Sequence, residues 1–284
     1  MISLDAGGGH RMSALPPKDL ADLARARALL ETPGIAMRVA DLAGAPIEAL
    51  LRRLPSGANA IIARATGSAL DRALGVALAT MGGPAERPPW EALPVRPPSD
   101  RLHRALLLAS GAAGGALGLP GLLLELPVST TLLLRTIADH ARAQGEDLGS
   151  VEARLQCLTV FAYGTRAQSD DGADAGYFAV RAVLARLVGE AASFVAERGL
   201  TGAAAQRGAP ALARLVAAVA ERLGVNVADK AAAQLVPLLG AVGGAAVNAL
   251  FLEHYRGTSW GHFTVRRLDR AHGAEAVRAA WDVV

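Results

Sequence analysis

An all-α fold is what this sequence predicts: a multi-helix bundle with two apolar helical hairpins interrupted by Gly and Pro. Three observations carry that expectation. Apolar residues recur three and four positions apart in most segments, the spacing of one helix face. The chain is 52% hydrophobic, 19% charged and only 4% aromatic, and its apolar part is mostly Ala, Leu and Val. Such residues suit close helix packing better than long sheets. Finally, two long stretches carry no charge: twenty residues from Ala105 to Leu124, and twenty-two from Ala231 to Leu252.

About 20 apolar residues can cross a bilayer core as a helix. The first run is not a plain lipid-facing helix, because Gly111, Gly114, Gly115, Gly118, Gly121 and Pro120 interrupt it. A Gly inside a helix costs about 1 kcal/mol relative to Ala, and an interior Pro about 3. Close backbone approach can offset that cost, and Gly111/Gly115 and Gly114/Gly118 are both GxxxG pairs. The second run contains Pro237 and the pair Gly240/Gly244, with Gly243 between them. Its segment Gly240–Ala245, GAVGGA, matches Gly111–Ala116, GAAGGA, at five of six positions. Paired Gly/Pro-interrupted apolar segments indicate broken helices that meet in one place. A hairpin that dips into a membrane and two helices crossing tightly in a soluble core fit these runs equally well.

Taken in order, residues 1–17 read as a disordered N-terminus. Residues 18–81 read as a helical arm, with helices over 19–31, 46–54 and 58–81. Residues 82–99 hold six prolines and read as a linker. The core then runs over 100–284. A helix is expected from Pro127 to Ala143, or unbroken from Gly121 with a kink at Pro127, and Gly145 stops it. On it Ser129, Thr136 and Asp139 share one face, with His140 at its edge, as a solvated face or as a polar seam in the bundle. Leu126, Leu133, Leu134 and Ile137 share another. Ser150 caps a helix through Ala162, and 164–174 is a polar loop. Further helices span 177–198, stopped by Gly199, and 210–223, opened by Pro210. Ser259 caps a last long helix, Trp260–His272, ended by Gly273.

Composition narrows the function classes. Net charge is +3 with nearly all cations arginine; Lys18 and Lys230 are the only lysines. No nucleic-acid-binding motif accompanies this balance, and there are few aromatics to stack on bases, so nucleic acid is not an expected partner. Cys157 is the only cysteine, which excludes an internal disulfide and a Cys-based zinc site. The first residues lack a signal-peptide pattern, so a cytoplasmic location, peripheral to the inner face of the cell membrane, is expected.

The segments GALGLPGLLLELPVSTTLLLRTIADHARAQGEDL, ARLQCLTVFAYG, VPLLGAVGGAAVNALFLEHY and GHFTVRRLDRAHG, in that order, resemble the bacterial EcsC family over about residues 46–281. The resemblance implies a mainly helical fold and membrane association. It also implies a link to an ABC transporter or a secretion process, but no particular reaction. By position, Glu125, Arg135, Asp139, Asn248, His262, Phe263 and Arg266 fall on family motif residues. Asp269 stands where the pattern more often has Glu.

Chemistry is sparse by comparison. HExxH, GxSxG, P-loop and CxxC motifs are absent, and no metal site or cofactor is expected. The polar candidates Glu125, Arg135, Asp139, Asn248, His262 and Arg266 read as a structural network or ligand contact, with Glu125 or Asp139 paired to Arg135 or Arg266. Gly111, Gly114, Gly115, Gly118, Gly240, Gly243 and Gly244 read as close helix contacts. Three functions follow: a membrane-associated, non-enzymatic accessory protein meeting lipid or a membrane protein; a soluble helical scaffold binding a protein partner; or a hydrolase using Glu125 and His262.

Overall fold

In the computed structural model, residues 15–31, 35–80, 100–164, 176–205, 210–234 and 240–284 are described. The expected disordered N-terminus, the Pro-rich linker, the polar loop 164–174 and the break at Pro237 fall almost wholly outside them. Among the described residues every regular element is a helix: α1 Pro17–Glu31, α2 Ile35–Ala43, α3 Ile47–Leu51, α4 Ala58–Thr80, α5 Asp100–Ala116, α6 Gly118–Ala143, α7 Val151–Thr159, α8 Tyr177–Ala205, α9 Pro210–Gln234, α10 Gly240–His272 and α11 Ala274–Trp281. A 3₁₀ turn, Val160–Ala162, follows α7.

The spine is α10, whose 33 residues extend about 50 Å at 1.5 Å per residue. Its first half packs on α5 and α6, and its second half on α1 and α11. Helix α9 packs on α2, α3, α4 and α8, and α4 also covers α6. One hydrophobic core runs through the whole assembly, from Leu23 in α1 through Leu134, Phe161 and Val227 to Trp281 in α11.

Glycines set the closest approaches. A Cβ on Gly244 would overlap the carbonyl oxygen of Gly111 and lie 2.8 Å from the Cα of Gly115. One on Gly111 would lie 2.5 Å from the Asn248 side chain, and one on Gly121 would overlap the Gly114 carbonyl. Helices α5, α6 and α10 therefore meet backbone to backbone, and α5 runs antiparallel to both. On the second half of α10, Gly257 and Gly261 face Leu29 and Leu30 of α1.

Of the two forms expected for α6, the unbroken one is found, with Pro127 inside it. Other local expectations change. Gly199 does not stop α8, which continues to Ala205, and α9 runs on to Gln234. Ser259 is not a cap: it is interior to α10, where its hydroxyl donates to the Arg256 carbonyl one turn back. Tertiary contact on both sides of that serine outweighs the local capping signal. Ser150 does cap α7, accepting from the Ala153 N–H at 3.1 Å. Gly145 and Gly273 end α6 and α10 with φ of +78° and +86°, values that favour glycine.

Replacing Gly244 with Leu should force α5 and α10 apart and lower stability by roughly 1–3 kcal/mol or more. A Cβ at Gly67 in α4 meets nothing within 4 Å, so Gly67→Ala should instead stabilise by about 0.5–1 kcal/mol. Urea denaturation of the two variants checks both signs.

Candidate functional site

The polar chemistry of the bundle lies along α10 as two buried groups and a charged end. The first group joins four helices. Lys230 in α9 donates to Glu125 Oε2 of α6 at 2.6 Å and to Asn248 Oδ1 of α10 at 2.6 Å. Asn248 Nδ2 closes the ring, donating to Glu125 Oε1 at 2.8 Å and to the Leu107 carbonyl of α5 at 2.7 Å. The Ser110 hydroxyl donates to that same carbonyl at 2.9 Å. The lysine nitrogen also faces the Phe251 ring, 5.4 Å from its centre. Lys230, Glu125 and Asn248 are 1%, 6% and 1% exposed. Burial pulls the Lys230 ammonium below its ordinary pKa, and the bonded Glu125 carboxylate opposes that pull. Isolated, either charge would be very costly here; paired and hydrogen-bonded, both are tolerated.

The second group lies farther along α10, where His262 is fully buried. Its Nδ1 shares a 2.8 Å hydrogen bond with the Tyr177 hydroxyl, and its ring packs 4.7 Å from that of Tyr163. Burial, then Arg181 and Arg266, hold its pKa well below the ordinary value. His254 is two turns earlier, against Gly164, and burial holds it at about 4. Both imidazoles are therefore neutral at pH 7.

The charged end comes last. Arg266 grips Glu146 with two bonds, of 2.9 and 3.1 Å, and Arg270 joins the same carboxylate. Burial raises the Glu146 pKa, but the arginines outweigh it and the net shift is downward. Asp269 accepts from Arg181 at 2.5 Å. A shallow groove of about 530 Å³ opens here between α8 and α11, lined partly by Phe178, Asp269 and Arg278.

The sequence-predicted network is thus divided. Glu125 and Asn248 meet, but the cation between them is Lys230, not Arg135 or Arg266. Arg135 is exposed and Asp139 accepts from Arg142 at 3.0 Å. Arg266 is committed to Glu146. His262 lies fourteen residues beyond Asn248 on one helix, about 21 Å away. Glu125 and His262 therefore cannot share a proton, and the hydrolase pairing is overturned; distance along a continuous α10 is the reason. Sequence reasoning missed Lys230, Glu146 and Tyr177. The signal for Lys230 was present: one of two lysines in an arginine-rich chain, directly abutting an uncharged run.

Among the described residues no group of three or more His, Cys, Asp or Glu is placed to hold a metal. Cys157 is free and fully buried, with its thiol pKa raised mainly by burial, as suits a small core residue.

Fold and site together define an all-helical bundle stitched by a buried ion-pair ring, with neutral histidines in its core. The chain belongs to the EcsC protein family, which matches it over residues 37–268. No curated protein and no solved structure matches it.

Two outcomes test this geometry. Lys230→Met strands a buried carboxylate and should cost about 3–5 kcal/mol, with part of the loss recovered in Lys230→Met/Glu125→Gln. Strict additivity of the two substitutions in a denaturation cycle would mean that the pair is not coupled. The buried histidines predict a pH effect. Their folded pKa values lie below the unfolded value of about 6.5, so the unfolded chain binds the protons. Stability is fully present above that value and falls as pH drops toward 4. For His254 the loss between pH 7 and pH 5 is about 2 kcal/mol. His262→Phe should flatten the pH dependence of urea unfolding.

Proposed function

We propose that this chain is a membrane-associated, non-enzymatic accessory protein that holds to lipid through the tip of the α5–α6 hairpin. One observation carries the reading: the first half of α6 turns large apolar side chains outward while it buries a carboxylate and a hydroxyl beside Leu122 and Leu126. Glu125 and Ser129 are buried, whereas Leu124 is 74% and Val128 50% exposed. Leu117, at the turn of the hairpin, is 65% exposed and Leu106 on α5 is 47%. From Ala105 to Leu134 no charged residue is exposed; Ala109, Ala113, Ala116 and Pro120 supply the rest of that face. Arg104 and Arg135, both exposed, bound it. A continuous apolar face of this kind marks an interaction surface. Flanking arginines each add about 1 kcal/mol toward anionic headgroups.

Helix α6 is long and apolar enough to cross a membrane, but 61% of its most apolar stretch is buried in the protein. It therefore lacks the lipid-facing circumference of a simple span, and the reading is peripheral or re-entrant. A helix of a partner protein on the same face is the competing outcome.

Flotation with vesicles of phosphatidylcholine and phosphatidylglycerol at low salt checks the proposal. The parent chain should float, and Leu117→Asp/Leu124→Asp should stay in the soluble fraction with an unchanged circular dichroism spectrum. A parent chain that does not float sinks the reading and leaves the scaffold alternative.

A further inference from the structure

We infer that the tip enters a single leaflet, with Leu117 deepest and with Arg104 at headgroup level. This rests on the membrane reading above and adds the depth and direction of entry.

The first turn of α10 stands beside the α5–α6 turn. Gly244 lies against Gly111 and Gly115, and Asn248 lies against Leu107, so α10 descends antiparallel to α5. Its first turn therefore stands beside Leu117, and Val242 there is 83% exposed.

Helix rise sets the depth. Leu117 is thirteen residues from Arg104 and eighteen from Arg135, or about 20 and 27 Å. The hydrocarbon of one leaflet is about 15 Å deep, half of a core of about 30 Å. An uncharged face of about 20 Å fills one leaflet and cannot line both. With Leu117 at the leaflet's inner limit, Arg104 stands about 5 Å outside the hydrocarbon, among the headgroups, and Arg135 farther out.

Side-chain polarity agrees with that depth. Apolar surroundings do not tolerate unsatisfied polar groups. The α5–α6 turn is made by one residue, Leu117, whose N–H bonds to the Gly114 carbonyl at 3.2 Å, with Gly118 at φ +63° completing the reversal. Glu125 is eight residues from Leu117, about 12 Å, so the Glu125–Lys230–Asn248 ring falls within the inserted depth. There its charges are closed on one another and on the Leu107 carbonyl, with none facing outward. The ring is what a hairpin with a carboxylate at this level needs in order to enter lipid without losing its packing.

Single cysteines at Leu106, Leu117, Leu124 and Val128, labelled with an environment-sensitive fluorophore, test the depth. All four native side chains are exposed, and the native Cys157 is fully buried, so the label goes to the introduced thiol. The labelled full-length chains are bound to vesicles of phosphatidylcholine and phosphatidylglycerol brominated at successive acyl positions. The expected result is a blue shift on binding, with Leu117 quenched best by bromines near the chain end, Leu124 by mid-chain bromines, and Leu106 and Val128 by those near the headgroup. Deepest quenching at Leu106 and Leu124, with Leu117 back at headgroup depth, would mean that the hairpin spans, and would overturn the inference while keeping the membrane reading. Equal, shallow quenching of all four labels would do the same in favour of a surface-lying face. Failure of the unlabelled parent to bind the vesicles removes both.

Discussion

The ring of Glu125, Lys230 and Asn248 is the constraint on which the first half of the bundle depends. Two opposite charges and an amide are removed from water, and each polar atom of the carboxylate is answered by a donor from a different helix. Such a ring contributes little net stability compared with a well-packed apolar core, but it admits only one register. Glu125 on α6, Lys230 on α9 and Asn248 on α10 can meet only if α5 is close enough for the Leu107 carbonyl to accept from Asn248. That proximity exists because Gly111, Gly115 and Gly244 put no side chain of their own at the closest α5–α10 approach. Polar specificity and small-residue packing are therefore two parts of one arrangement.

The same arrangement accounts for the outward apolar face on the first half of α6. Once Glu125 and Ser129 are turned toward the seam, the helix period turns Leu124 and Val128 outward. An isolated water-soluble bundle normally places these types the other way round. Farther along, the logic is conventional. The hydroxyls of Thr136 and Ser129 donate to carbonyls of their own helix, and His140 bonds to the Thr136 carbonyl, while Leu133, Leu134 and Ile137 fill the core. The polar stripe on α6 is a buried seam from Glu125 to Thr136, satisfied by ion pairing at one end and by its own backbone at the other, and it reaches the surface at Asp139.

At the opposite end of α10 the surface is ionic. Arg266 and Arg270 converge on Glu146, and Arg267 and His272 hold Asp19 and Asp22 of α1. Arg27 of α1 donates at 2.7 Å to the carbonyls of both Trp281 and Val284. Residues before 37 and after 268, outside the family match, thus fasten to each other around the end of the spine. The apolar tip and this charged end are separated by nearly the full length of α10, which gives the molecule two chemically distinct poles.

The fold class, the helical span of most segments, the two glycine-broken apolar runs and the family are legible in the residues alone. All of these follow from local periodicity, composition and the order of motifs. Glu125 and Asn248 are legible there too, because a polar residue inside or beside an uncharged run stands out without any coordinates. Which residues meet is set by packing. Lys230 rather than an arginine answers Glu125, because α9 and not the solvent side of α6 faces that carboxylate. His262 is remote from Glu125 because one helix continues through Ser259, where the local signal favoured a start. Which face of α6 points outward was undetermined for the same reason: helical spacing defines the faces of a helix, and only its neighbours choose which one they bury.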